Sequence, residues 1–257
     1  MHSYFIKYLY KMLNTILLDV VKIDPTNYVS FTFFIGYMAM LAASVFFFFE
    51  RSRVADKWKM SLLVSGLITM IAAFHYYYMR DYHLATGSSP TFFRYVDWIL
   101  TVPLMCVEFY LLTKLAGAKK SLLWKLIAAS TWMLVAGYIG EALTDGSTAH
   151  SVQWGVISTL GYLYILHNVW LGEVAQLAQS SGVESVKKGV RALAWFVLVG
   201  WAIYPIGYMC MEGGWLSGIM SPSDVDLWYN IADAINKIGF GLVVYNIAYT
   251  ETHKELA

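Results

Sequence analysis

The chain has 257 residues, 58% of them hydrophobic and only 14% charged, and its mean hydropathy is +0.54. Soluble domains carry roughly 25% charged residues, so the composition excludes an ordinary soluble domain and points to a membrane protein. A formal net charge of +1 without a basic stripe excludes a nucleic-acid partner, and Cys106 and Cys210, both in apolar segments, form neither a disulfide framework nor a metal-ligand spacing.

Residues 1–27 carry Lys7 and Lys11, then a short apolar run broken by Asn14 and Asp19. There is no clear small-residue cleavage site, so the segment reads as amphipathic and lying on the membrane surface, with processing as the alternative. A bilayer span needs roughly 20 mostly apolar residues. Stretches of that kind run from Tyr28 to Phe49, Met60 to Met79, Thr91 to Leu112, Leu126 to Leu143, Val152 to Leu171, Ala192 to Met211 and Asp226 to Tyr249. A lipid-facing backbone must satisfy its own hydrogen bonds, so these are helices. The expected fold is an all-α bundle of seven transmembrane helices over residues 28–250, with a cytoplasmic tail at 251–257. Two connections are long, Glu173–Lys188 and Glu212–Asp224.

Basic residues set the orientation. Twelve collect on one side: Arg51, Arg53, Lys57 and Lys59, then Lys114, Lys119, Lys120 and Lys125, then Lys187, Lys188, Arg191 and Lys254. The other side has four: Lys7, Lys11, Lys22 and Arg80. The N-terminus is therefore expected outside and the C-terminus in the cytoplasm of a multi-pass protein of the bacterial inner membrane.

The remaining two cations, Arg94 and Lys237, lie inside spans. An ionisable side chain there costs about 2.5 kcal/mol or more and is read as functional. Lys237 has Asp233 four residues before it, and the plain alternative is an intrahelical ion pair. On the third span Asp97, Thr101 and Glu108 fall within about 40° of arc, with Arg94 close beside them. Asp97 and Glu108 are about 16 Å apart along the axis at 1.5 Å per residue. Two carboxyls stacked across a membrane with a hydroxyl between them suit a proton relay; a polar face that holds helices together is the alternative. Arg94 either forms a simple ion pair with Asp97 or tunes the carboxylates and gates the exit. His75, on the second span at a depth roughly matching Asp97, reads either as a satisfied core histidine or as a hydrogen-bond partner of that carboxylate.

Three stretches carry a resemblance: Arg94-Tyr-Val-Asp-Trp-Ile-Leu-Thr-Val-Pro-Leu-Met-Cys-Val-Glu-Phe-Tyr110, Gly200-Trp-Ala-Ile-Tyr-Pro-Ile-Gly-Tyr208, and Asn230-Ile-Ala-Asp-Ala-Ile-Asn-Lys237. Together they resemble the microbial rhodopsins of the proteorhodopsin type, from about Val29 to the C-terminus. The resemblance implies a light-driven outward proton pump, a transporter rather than an enzyme. It implies all-trans-retinal bound covalently as a protonated Schiff base on Lys237, with Asp97 as counterion and proton acceptor, Asp233 as second counterion, Glu108 as proton donor and His75 as partner of the acceptor. Trp98, Trp201 and Tyr208 would pack on the polyene, with Pro205 beside the ring, while Tyr76 and Tyr204 would hydrogen-bond Asp233. Met105 occupies the colour-tuning position, where a thioether resembles the green-absorbing branch and Gln the blue. The resemblance also implies a homo-oligomer, pentamer or hexamer, in the lipid membrane, although Phe34 replaces the tryptophan that reaches a neighbouring protomer's histidine. Gly155 reads either as ordinary helix packing or as an opening through which an antenna carotenoid touches the retinal ring. A light sensor signalling to a partner would share the pocket; Glu108 argues for the pump. A retinal-free bundle is the further alternative.

Overall fold

A computed structural model describes residues 26–256 except Asp145, and the expected N-terminal segment lies outside them apart from Thr26 and Asn27. All regular secondary structure among the described residues is helical, with no strand. In chain order they form α1 (Tyr28–Glu50), α2 (Lys59–Thr86), α3 (Thr91–Lys114), α4 (Lys120–Ala142), α5 (Thr148–Trp170), α6 (Glu173–Ser180), α7 (Glu184–Trp195), α8 (Ile203–Cys210) and α9 (Pro222–Leu256).

Local chemistry explains the ends. Asn27 caps α1, its side-chain oxygen accepting from the Ser30 amide at 3.0 Å. At the start of α9 the Ser221 hydroxyl accepts from the Asp224 amide at 3.2 Å, while the Asp224 carboxylate accepts from the Ser221 amide at 3.2 Å. This reciprocal pair, with Pro222 in the first turn, fixes where the last helix begins. α9 runs 35 residues, so residues expected as a tail from 251 continue the helix to Leu256.

Helices α1 to α5 pack in sequence; α7 and α8 pack on α5, and α9 closes the ring against α7, α8, α1 and α2. Among the described residues, six segments are long and apolar enough to cross a membrane by length and composition. α5 is not one of them: it is 23 residues long but carries His150, Ser151, Gln153, His167 and Asn168. Burial is inverted relative to a soluble protein: Phe49, Phe74, Leu160 and Ile235 are exposed, while Arg94, Asp97, Glu108, Asp226, Asp233 and Lys237 are buried. A lipid environment rewards that arrangement, because apolar side chains can face acyl chains while charges find partners inside.

Two expectations are corrected. The connection after Leu171 is not a loop: α6 and the first turns of α7 fill it, so the sixth span begins at Glu184 rather than Ala192. Nor is that span one continuous helix. Phe196–Gly200 is a π-helical turn in which the Trp201 amide reaches back to the Phe196 carbonyl at 2.9 Å. Pro205, four residues after Trp201, lacks an amide hydrogen, and a widened turn beside it relieves the strain. Two other helices serve the carbonyls left over. The Tyr162 hydroxyl of α5 donates to Val197 at 2.9 Å, and the Asn236 amide of α9 donates to Gly200 at 3.0 Å. A β-carbon at Gly200 would collide with the Asn236 side-chain oxygen.

Candidate active site around Lys237

α9 presents Asp226, Asn230, Asp233 and Lys237 on one face, at steps of four, three and four residues. α3 presents Arg94, Asp97, Thr101 and Glu108 towards it. Lys237 Nζ lies between two carboxylates, 2.8 Å from Asp97 Oδ2 and 2.9 Å from Asp233 Oδ2. Lys237 is 3% exposed and Asp97 0%, so neither charge is shared with solvent.

The two carboxylates are unequal. Asp233 Oδ1 accepts from the Tyr204 hydroxyl at 2.6 Å, Oδ2 accepts from the Tyr76 hydroxyl at 2.8 Å, and the Trp98 indole N–H reaches both oxygens at 3.3 Å. Three neutral donors therefore hold Asp233 in addition to the lysine. Among the described residues Asp97 is hydrogen-bonded by Lys237 alone: its Oδ1 is buried and receives no hydrogen bond from them. The expected hydrogen bond from His75 is not formed. His75 Nδ1 is 3.6 Å from Asp97 Oδ1, beyond hydrogen-bond range, and sits 2.9 Å from the Ile71 carbonyl of its own helix. The histidine is a neighbour of the carboxylate, held one step away by its backbone bond.

Arg94 is also placed differently from the simple ion pair considered for it. Its Nη2 donates to Asp226 Oδ1 at 2.9 Å and to Asn230 Oδ1 at 3.0 Å, and its guanidinium lies over the rings of Phe33 and Tyr229. Ser89, in the α2–α3 loop, donates to the same Asp226 oxygen at 2.7 Å. The sequence reading took Asp226 as the polar edge of a span; its position two turns before Asp233 on the same face was the signal that could have found it. The Thr101 hydroxyl is spent on the Asp97 carbonyl at 2.9 Å within α3.

Glu108, towards the opposite end of α3, is 0% exposed. Its Oε1 accepts from the Ser65 hydroxyl of α2 at 2.9 Å, and its Oε2 has no hydrogen-bond partner among the described residues. Ser65 was not anticipated. Ser61, Ser65 and Thr69 recur every four residues on α2, all buried, and that spacing marks a polar stripe facing α3.

A cavity of about 510 Å³ opens beside Lys237 and Asp233. Trp98, Met105, Trp201, Tyr204, Pro205 and Tyr208 line it, as does Gly155. Asn236, Tyr162 and Tyr229 also reach it and were not anticipated. At Gly155 a β-carbon would stand 2.8 Å from Tyr208 Cε1, so the ring of Tyr208 takes the space that a side chain would fill. Tyr208 is fixed there by its hydroxyl, which donates to the Ser151 carbonyl at 2.5 Å.

Comparison with known proteins places this arrangement in a lineage. The family described as bacteriorhodopsin-like protein matches residues 27–251. A green-light absorbing proteorhodopsin from Gamma-proteobacterium EBAC31A08 is 43% identical, with 90% of each chain covered. Among solved structures, a blue light-absorbing proteorhodopsin from Med12 superposes with a TM-score of 0.73 at 40% identity, covering 87% of this chain and 99% of its own. Xanthorhodopsin, titled a light-driven ion pump with dual chromophore, superposes with a TM-score of 0.78 at 30% identity, covering 90% and 97%. With six membrane-crossing segments and such relatives, this is a multi-pass bacterial membrane protein. Matched over residues 27–251 and 43% identical to a proteorhodopsin across 90% of both chains, the chain belongs to the bacteriorhodopsin-like family.

Proposed function

We propose that this protein is a light-driven outward proton pump that carries all-trans-retinal on Lys237. The observation that carries the reading is the unequal pair of carboxylates on Lys237 Nζ, with Glu108 buried on the same face of α3. The pocket residues fit the chromophore: an apolar and aromatic cavity of about 510 Å³ with Lys237 as the one amine in its lining suits an isoprenoid aldehyde. Retinal linked to Nζ supplies a light-triggered change of shape that alters the proton affinity and the aim of the N–H group.

The side chains do the rest. Asp97 takes the proton, since among the described residues its Oδ1 receives no donor and its one hydrogen bond comes from Lys237. Asp233 stays ionised, because Tyr204, Tyr76 and Trp98 stabilise its charge. His75, 3.6 Å from Asp97, shares the acceptor's field without holding its proton. Arg94 and Asp226 lie between Asp97 and the α2–α3 loop, which we place on the outer side from the distribution of basic residues, with the C-terminus in the cytoplasm. Glu108 stores a proton on Oε2 while Ser65 fixes Oε1, and it returns that proton towards Lys237 from the cytoplasmic half. About 16 Å of helix separates Asp97 from Glu108, so the two are distinct stations and not one shared site. Thr101, bonded to the Asp97 carbonyl, keeps the α3 backbone between them in register. Gly155 lines the same cavity beside Tyr208, and an antenna carotenoid there stays a secondary expectation.

The test is the pH of an illuminated, unbuffered suspension of cells making the protein with retinal. Acidification that a protonophore abolishes is expected. A coloured protein that gives no acidification would overturn the pump and favour a sensor; a protein that stays colourless with all-trans-retinal would overturn both.

A further inference from the structure

We propose that the lipid-facing side of α4 holds an anionic glycerophospholipid, with its phosphate at Lys120 and Lys125 and an acyl chain in the groove between Trp124 and Trp132. The groove has a volume of about 400 Å³ and is lined by Trp124, Ile127, Ala128, Thr131, Trp132 and Val135, all from this one helix. The two indoles are 64% and 56% exposed. They stand about 12 Å apart along the axis at 1.5 Å per residue. Ala128 and Thr131, both small, form the floor between them. Trp132 is no loose side chain, since its indole N–H donates to the Ile157 carbonyl of α5 at 3.1 Å, which fixes one wall of the groove.

Charge complementarity decides the occupant. Lys120, one turn before Trp124, lies about 40° to one side of it and Lys125, the next residue, about 100° to the other, so their long flexible stems flank the head of the slot from its two sides. With Lys114 and Lys119 they make four exposed lysines within twelve residues, and among the described residues none stands within ion-pair distance of a carboxylate. A cluster of unpaired ammonium groups at the end of an apolar, indole-walled slot matches a molecule with a phosphate at one end and a hydrocarbon chain at the other. Trp124 next to the lysines sits where indoles favour the headgroup level. In the orientation proposed above, this end faces the cytoplasmic leaflet, whose anionic lipids attract basic residues near the surface. The binding requires no transport, so its failure would leave the pump reading untouched.

Native mass spectrometry of the purified full chain tests it, with phosphatidylglycerol and phosphatidylcholine of identical acyl chains as probes. Phosphatidylglycerol is expected to be retained and phosphatidylcholine lost. Each lysine removed should weaken retention roughly fivefold, so Lys120→Gln with Lys125→Gln gives a loss of about 25-fold. Ala128→Trp, which fills the floor and leaves the charges, should expel the lipid as well. Circular dichroism and colour with added retinal verify that each variant is folded. Equal retention of the two lipids, or retention unaffected by the substitutions, would overturn the proposal. So would an Ala128→Trp variant that changes oligomer size and not lipid count, which would make a second copy of the chain the occupant.

Discussion

Arg94 donates to Asp226 and turns away from Asp97, although Asp97 lies one turn along the same helix. The guanidinium is thereby neutralised by a carboxylate outside the Lys237 site, and among the described residues Lys237 is the one cation hydrogen-bonded to Asp97. Removing one member of a buried pair leaves the other charge uncompensated and costs about 3–5 kcal/mol. Asp226→Ala should therefore destabilise the protein by that order, measured as the midpoint of chemical unfolding followed through loss of visible absorption. An unchanged midpoint would show that Arg94 finds another partner.

Asp97→Asn should form pigment but move no protons, because the amide cannot take one. Steady acidification by illuminated cells carrying this variant would remove Asp97 from the acceptor role.

The three neutral donors on Asp233 separate its behaviour from that of Asp97. A hydrogen bond to a charged group contributes about 1.5–3 kcal/mol. Replacing both Tyr76 and Tyr204 with Phe should let Asp233 compete for the proton. Infrared difference spectra should then show a second carboxylic C=O band absent from the parent; a single band in the double variant would sink the asymmetry argument.

Glu108→Gln should slow the recovery step of the photocycle by an order of magnitude or more, because the amide holds no transferable proton. Ser65→Ala should change the same step to a smaller degree, since it removes the hydroxyl on Oε1 and leaves the carboxyl in place. Flash photolysis reads both rates, and a Ser65 variant with the parent rate would leave that serine a packing residue.

Gly200→Ala pushes a methyl group into the Asn236 side chain. Overpacking of this kind costs about 1–3 kcal/mol. Adding Asn236→Ala to the same chain should recover part of that loss, a non-additivity expected of touching residues. Additive losses in thermal unfolding would show that the two side chains do not meet.

Six of the seven spans were legible because continuous apolar runs admit one solution in lipid, the more polar α5 completing the bundle, and the carboxylates of α3 were legible because 97, 101 and 108 share a helix face. Lys237 was legible as a charge in a costly place. Asp226 was not, because an acid at the edge of a span looks like a boundary marker until Arg94 is seen to reach it. Ser65 looked like any helix-packing serine, since a hydroxyl carries no sign of which neighbour it serves. The π turn was hidden for a different reason. Pro205 announces that a hydrogen bond is missing, but whether the backbone kinks, breaks or widens depends on donors from other helices, here Tyr162 and Asn236.

Those two donors couple the bundle mechanically. Asn236 precedes Lys237 by one residue, and its amide holds the Gly200 carbonyl at the junction of α7 and α8. A torque applied at Lys237 therefore acts, through a neighbouring backbone unit, as a lever on the least regular part of the sixth span. On the other side of the widened turn, Tyr162 of α5 holds the Val197 carbonyl, so that segment is tied at both ends to neighbouring helices.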